Sequence, residues 1–91
     1  MKITYDPAAN AVYVLVSRVQ DVGAGETDVD DNGVIIDTDA NGNVRGYEFL
    51  AVRERGVPVA RMPTSIARAV GDFISSGALE STVPVECDYE S

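Results

Sequence analysis

The sequence predicts an α+β domain: a small four- or five-stranded antiparallel meander sheet with one C-terminal helix packed on one face. Three observations carry this. Short β-prone runs fill the first half, and Asn-Gly stands between them twice, at Asn32-Gly33 and Asn41-Gly42. Asn-Gly flanked by apolar runs is a strong local hairpin signal. The apolar residues then switch to helical spacing over residues 63–77. With 91 residues, 45% of them apolar, the chain can bury one modest core. The expected organisation is a single domain over 1–91: sheet 1–52, connector 53–62, helix 63–77 and acidic tail 78–91.

Each element has a local reason. Residues 1–5 (MKITY) read as a strand with Lys2 and Thr4 on one face, and residues 6–10 (DPAAN) as a turn. Residues 11–17 (AVYVLVS) are the most β-prone stretch. Val12, Val14 and Val16 fall on one face, and Ala11, Tyr13 and Leu15 on the other. Both faces are apolar, so this strand is expected to be central and covered on both sides. Residues 18–25 close as a loop on Gly23-Ala24-Gly25. Residues 26–30 alternate acids with Thr27 and Val29, which suits a short exposed edge strand. Residues 34–36 and 44–50 are the arms of the central hairpin. In the helix, Ile66, Ala67, Val70, Phe73 and Ile74 make one stripe. Pro63 or Thr64 suits its start and Gly77 its end. Gly71 inside it suggests a close approach to the sheet. Val83-Pro84-Val85 could be an edge strand, but Pro84 cannot donate to a ladder, so a partly mobile tail is expected.

Charge excludes some functions. The net charge is −8. Between Arg18 and Arg45 the acids Asp21, Glu26, Asp28, Asp30, Asp31, Asp37 and Asp39 stand without a cation. Nucleic-acid binding needs cations to displace phosphate counterions, so no nucleic-acid partner is expected. Asp21, Glu26, Asp28, Asp30 and Asp31 form the candidate surface for a basic protein partner. No apolar run reaches the ~20 residues that cross a bilayer, and the first residues do not resemble a signal peptide. A cytoplasmic protein with no membrane partner is expected. Cys87 is the one cysteine, flanked by Glu86 and Asp88, which oppose thiolate formation.

No catalytic constellation is visible. Histidine is absent, and Lys2 is the single lysine. No carboxylate pair has a setting that would raise its pKa toward general-acid use. A non-enzymatic protein without cofactors is expected. One motif has metal-site spacing: Asp37, Asp39, Asn41, Asn43 and Glu48 fit D-x-[DN]-x-[DN]-G-x5-E, the pattern of a calcium loop. That loop needs a helix on each side. Here a turn and a β-branched run precede it, so Asx-turn chemistry in a hairpin is the better reading, and a weak calcium site through 37–48 the lesser one.

The segments MKITYDPAANAVYVLVS and GVIIDTDANGNVRGYEFL, joined by an acidic strand, resemble the bacterial and phage family called domain of unknown function 2283. Its pattern is similar to M-K-I-x-Y-D-x-x-x-D-A-L-Y-I followed by G-V-I-x-D-Y-D-x-x-G-x-V-V-G-I-E-I-L. The resemblance covers roughly residues 1–51. It departs at Asn10, where the family has Asp, and the chain runs on past the family's usual end. The resemblance implies a small antiparallel sheet with a hairpin turn at 37–43 and implies no activity. Some members are similar to small partners encoded beside toxin-like proteins.

The leading expectation is therefore an acidic protein-interaction module. The alternative is an antitoxin-like or nucleic-acid-mimicking inhibitor of a basic partner. A homodimer is also expected, because one helix covers only one face of a sheet that is apolar on two. Val12, Val14, Val16, Tyr47 and Phe49 are its candidate interface.

Overall fold

The computed structural model describes residues 1–16, 24–60 and 62–89. The elements are β1 (Lys2–Asp6), β2 (Ala11–Leu15), β3 (Ala24–Val29), β4 (Ile35–Asp39), β5 (Val44–Leu50), α1 (Val52–Arg55), α2 (Thr64–Ser75), a 3-10 turn at Ala78–Glu80 and β6 (Val85–Asp88). Among the described residues one antiparallel sheet of six strands forms, in the order β3-β4-β5-β2-β1-β6.

The α+β class and antiparallel sheet are as expected; the count of four or five strands and their order along the chain are corrected. Residues 16–23 are too many for a tight hairpin between β2 and β3. β3, short of apolar side chains, takes an edge, and β5 pairs with β2 instead, joining Val14 to Tyr47 and Val12 to Phe49. The sixth strand lies in the expected tail. Pro84 sits just before it, and pairing with β1 begins at Tyr5↔Val85, so the missing N–H costs the ladder nothing. Cys87 and Val85 oppose Ile3 and Tyr5 on the core side.

The core lies between one sheet face and α2. Ile3, Tyr5, Val12, Val14 and Phe49 are buried from the sheet side, and Ile66, Ala69, Val70 and Phe73 from the helix. The buried stripe runs through Ala69; Ala67 and Ile74, placed in it by spacing, are half-buried. Pro63 occupies the N-cap position, its carbonyl accepting from the amides of Ile66 and Ala67. Gly77, at φ 87°, follows the helix end. No described helix is long and apolar enough to cross a membrane.

The β1–β2 turn is clamped to α1. The Asn10 carbonyl and Oδ1 accept from the amides of Val52 (3.2 Å) and Arg53 (3.1 Å), and Nδ2 donates to Glu54 (2.6 Å). An aspartate, as in the resembled pattern, could not make that last bond. Arg53 donates through Nε to the buried Tyr5 hydroxyl (2.8 Å) and through its guanidinium to the Pro7 carbonyl (3.2 Å).

Gly71 makes no close approach to the sheet: it is exposed, and a Cβ there would meet nothing within 4 Å. Replacing Gly71 with Ala should therefore stabilise the protein by about 0.5–1 kcal/mol through helix propensity alone. Denaturant unfolding of Gly71→Ala checks this; an equal or lower midpoint contradicts the described packing.

Candidate interaction surface

Strand alternation and the pairing register define the second face of the sheet. One row runs Val29, Ile35, Glu48, Tyr13, Thr4, and the next Thr27, Asp37, Gly46, Leu15, Lys2. Leu50 and Ala11 begin a third. Ala11, Tyr13, Leu15 and Ile35 are half-buried, while Val29 is 66% and Leu50 44% exposed. No described helix lies on this face, since α2 turns its apolar stripe to the other side.

The expected interface residues are corrected by this geometry. Val12 and Val14 have no exposed surface, and Phe49 (2%) and Tyr47 (9%) are buried with them in the core. Val16 is half-buried against the same core. These five line the face beneath α2, so a second copy cannot reach them. The deciding signal is the polar residues at alternate positions: Lys2 and Thr4 on β1, Asp37 on β4 and Glu48 on β5 all mark the side left uncovered by the described helices.

Two irregularities shape the middle of that face. The β3–β4 register shifts between Ala24 and Thr27, and the β4–β5 register between Asp37 and Thr38. Thr38 Oγ1 repairs the first, accepting from the Glu26 amide (3.1 Å) and donating to the Glu26 carbonyl (3.0 Å). The second places Arg45 beside a hollow of about 310 Å³ lined also by Tyr13, Thr27 and Asp37. Tyr13 lies across Gly46: a Cβ at 46 would collide with its hydroxyl and come within 2.8 Å of the Val14 carbonyl oxygen. Asp37 accepts from Thr27 Oγ1 at 2.9 Å and, at a long 3.4 Å, from the Tyr13 hydroxyl. Burial first, then the charge and hydrogen bond of Asp37, push the Tyr13 phenol above its ordinary pKa, while Arg45 pulls it down.

Arg45 and Glu48 are half-buried on this face. Among the described residues neither makes an ion pair or a side-chain hydrogen bond. Lys2 differs, pairing with Glu86 at 2.8 Å.

The turn carboxylates have structural work. Asp39, 7% exposed, accepts at Oδ1 from the amides of Asn41 (2.8 Å) and Asn43 (2.9 Å). Asp30 repeats this with Asn32 (2.8 Å) and Val34 (3.0 Å). Of the calcium-pattern residues, Asp39 is thus turned into its own loop, Asp37 is held by Thr27 and Tyr13, and Glu48 lies across from Ile35 and Tyr13 on neighbouring strands. Asn41 and Asn43 are exposed in the turn. No described group of three His, Cys, Asp or Glu side chains could hold a metal ion. Of the acidic-surface residues, Glu26 and Asp28 are exposed on β3 and Asp31 in the turn after it, Asp30 is half-buried, and Asp21 lies outside the described residues. The larger hollow beside the β1–β2 turn, about 550 Å³, is lined by Asp6, Arg53 and Glu80, with Arg53 already engaged by Tyr5 and Pro7.

The model of a family described as "Protein of unknown function (DUF2283)" matches residues 2–53, more than half of the chain. That span runs from β1 into α1 and carries the whole central part of the uncovered face. No curated protein and no solved structure matches the chain.

Two measurements check the geometry. Asp39→Ala leaves two turn amides without their acceptor and should cost about 1–3 kcal/mol in denaturant unfolding, with a smaller loss for Asp39→Asn, whose oxygen still accepts. Tyr13 has a raised native pKa, so its contribution is present below the unfolded value of about 10 and is lost as pH rises through the native one. Stability should fall above about pH 10, and less steeply in Tyr13→Phe; superimposable profiles contradict the Tyr13 environment.

Proposed function

The chain belongs to the DUF2283 family of proteins of unknown function, and we propose that it is a cytoplasmic, non-enzymatic protein-interaction module that works as a homodimer through the uncovered sheet face. One observation carries the reading: among the described residues a six-stranded sheet has its helix on one face, while the other presents Ala11, Tyr13, Leu15, Val29, Ile35 and Leu50. Monomers rarely leave a contiguous apolar patch beyond a few hundred Å² in water. Closing it against the same face of a second copy gives an isologous contact about a two-fold axis. Each Å² of apolar surface removed contributes about 25 cal/mol before association costs.

A second reading, the acidic inhibitor of a basic partner, is supported by Glu26, Asp28 and Asp31 standing exposed along one sheet edge and its turn. It uses a different surface, and its contacts would weaken steeply with added salt. Basic proteins captured at low salt should be released by salt and fail to bind Glu26→Gln/Asp28→Asn.

Sedimentation at micromolar concentration tests the main reading. A mass of twice 9.7 kDa is expected, reverting to 9.7 kDa in Leu15→Glu, which puts a charge at the centre of the face. A wild-type protein sedimenting as a 9.7 kDa monomer overturns the homodimer.

A further inference from the structure

The uncovered face carries its own electrostatic complement. We infer that two copies dock with each Arg45 paired to the Glu48 of the other copy, so that two exchanged ion pairs fix the orientation of the dimer; this rests on the homodimer reading above.

The argument starts from the charges at the centre of the face and what each already does. Asp37 is held by Thr27 (2.9 Å) and Tyr13 (3.4 Å), and Lys2 by Glu86 (2.8 Å). Arg45 and Glu48 remain, one of each sign, both half-buried and without an ion pair or side-chain hydrogen bond among the described residues. They stand three residues apart on β5, about 10 Å along the strand at roughly 3.3 Å per residue. Arg45 sits at the register shift beside the Tyr13 hollow, and Glu48 pairs across to Tyr13 and Ile35.

Consider two sheets packed face to face with a two-fold axis between them, running across β5 midway between these residues. Rotation brings each Arg45 over the second copy's Glu48, and the contact occurs twice. The same operation lays β2 over its own copy, so Leu15 and Tyr13 interleave with their counterparts and supply the dry surround that strengthens the pairs. An unrelated partner would have to present an acid and a base at this spacing on an apolar ground. A second copy does so by construction. Leaving either charge buried and unpaired strongly opposes association, so slipped or rotated arrangements are selected against.

Charge exchange tests it by sedimentation equilibrium of the full chain. Arg45→Glu and Glu48→Arg, each placing like charges opposite one another, should weaken the dimer about tenfold or more. The double variant Arg45→Glu/Glu48→Arg should recover most of that loss, because exchanging both partners restores the pairs. Thermal unfolding confirms that each variant is folded; Arg45→Gln and Glu48→Gln, with the same direction and a smaller effect, replace any reversal that is not. A wild-type dimer that the single reversals leave unchanged, or that the double variant fails to recover, overturns the exchanged pairs while leaving the homodimer standing. A wild-type monomer overturns both.

Discussion

The pairing of β2 with β5 is the constraint on which the rest of the molecule depends. β2 is apolar on both faces and β5 carries Tyr47 and Phe49 on one, so each needs an interior position. Placing them side by side at the middle of the sheet joins the β1–β2 hairpin to the β3–β4–β5 meander. It sets Val12 against Phe49 and Val14 against Tyr47, which makes the floor on which Val70 and Phe73 of α2 rest. The strands poorest in apolar residues then fall to the edges, where Glu26 and Asp28 on one side and Glu86 and Asp88 on the other discourage pairing with stray chains.

Two turns of one design hold that arrangement in register. Asp30-Asp31-Asn32-Gly33-Val34 and Asp39-Ala40-Asn41-Gly42-Asn43 stand at the two ends of β4 and make the same four hydrogen bonds. In each, the aspartate carboxylate gathers two amides, and a glycine with positive φ closes the turn, at 78° for Gly33 and 85° for Gly42. β4 is thus pinned at both ends, and a one-residue slip, which would turn Ile36 out of the core, is opposed twice. The spacing of acids that resembles a calcium loop is a by-product of this turn chemistry next to a strand.

Much of this was legible in the sequence. Asn-Gly between β-prone runs located the two turns, the acidic alternation of residues 26–30 marked an edge, and the helix stood where Phe73 and Val70 recur. What was not legible has physical reasons. Residues 11–15 have no polar side to say which face meets the helix, so Val12 and Val14 looked as available as Tyr13 and Leu15. Pro84 concealed β6, because a proline just ahead of a ladder reads like one inside it. Nothing in the local spacing singles out Arg45, since its setting arises from a register shift that such spacing does not encode. The rescue of the turn by Asn10 needed α1, far along the chain, to become visible.

The ring of Tyr13 lying over Gly46 ties two distant positions of the chain into one unit of inheritance. Any side chain at the second meets both the aromatic ring and the Val14 carbonyl oxygen, so shrinking position 13 alone does not make room at position 46. Shrinking the first position carries its own cost: a small residue at 13 would leave the glycine's backbone open to water. Drift at this spot is therefore closed from two sides: the neighbouring strand's backbone keeps position 46 a glycine, and the bare glycine keeps a ring at position 13.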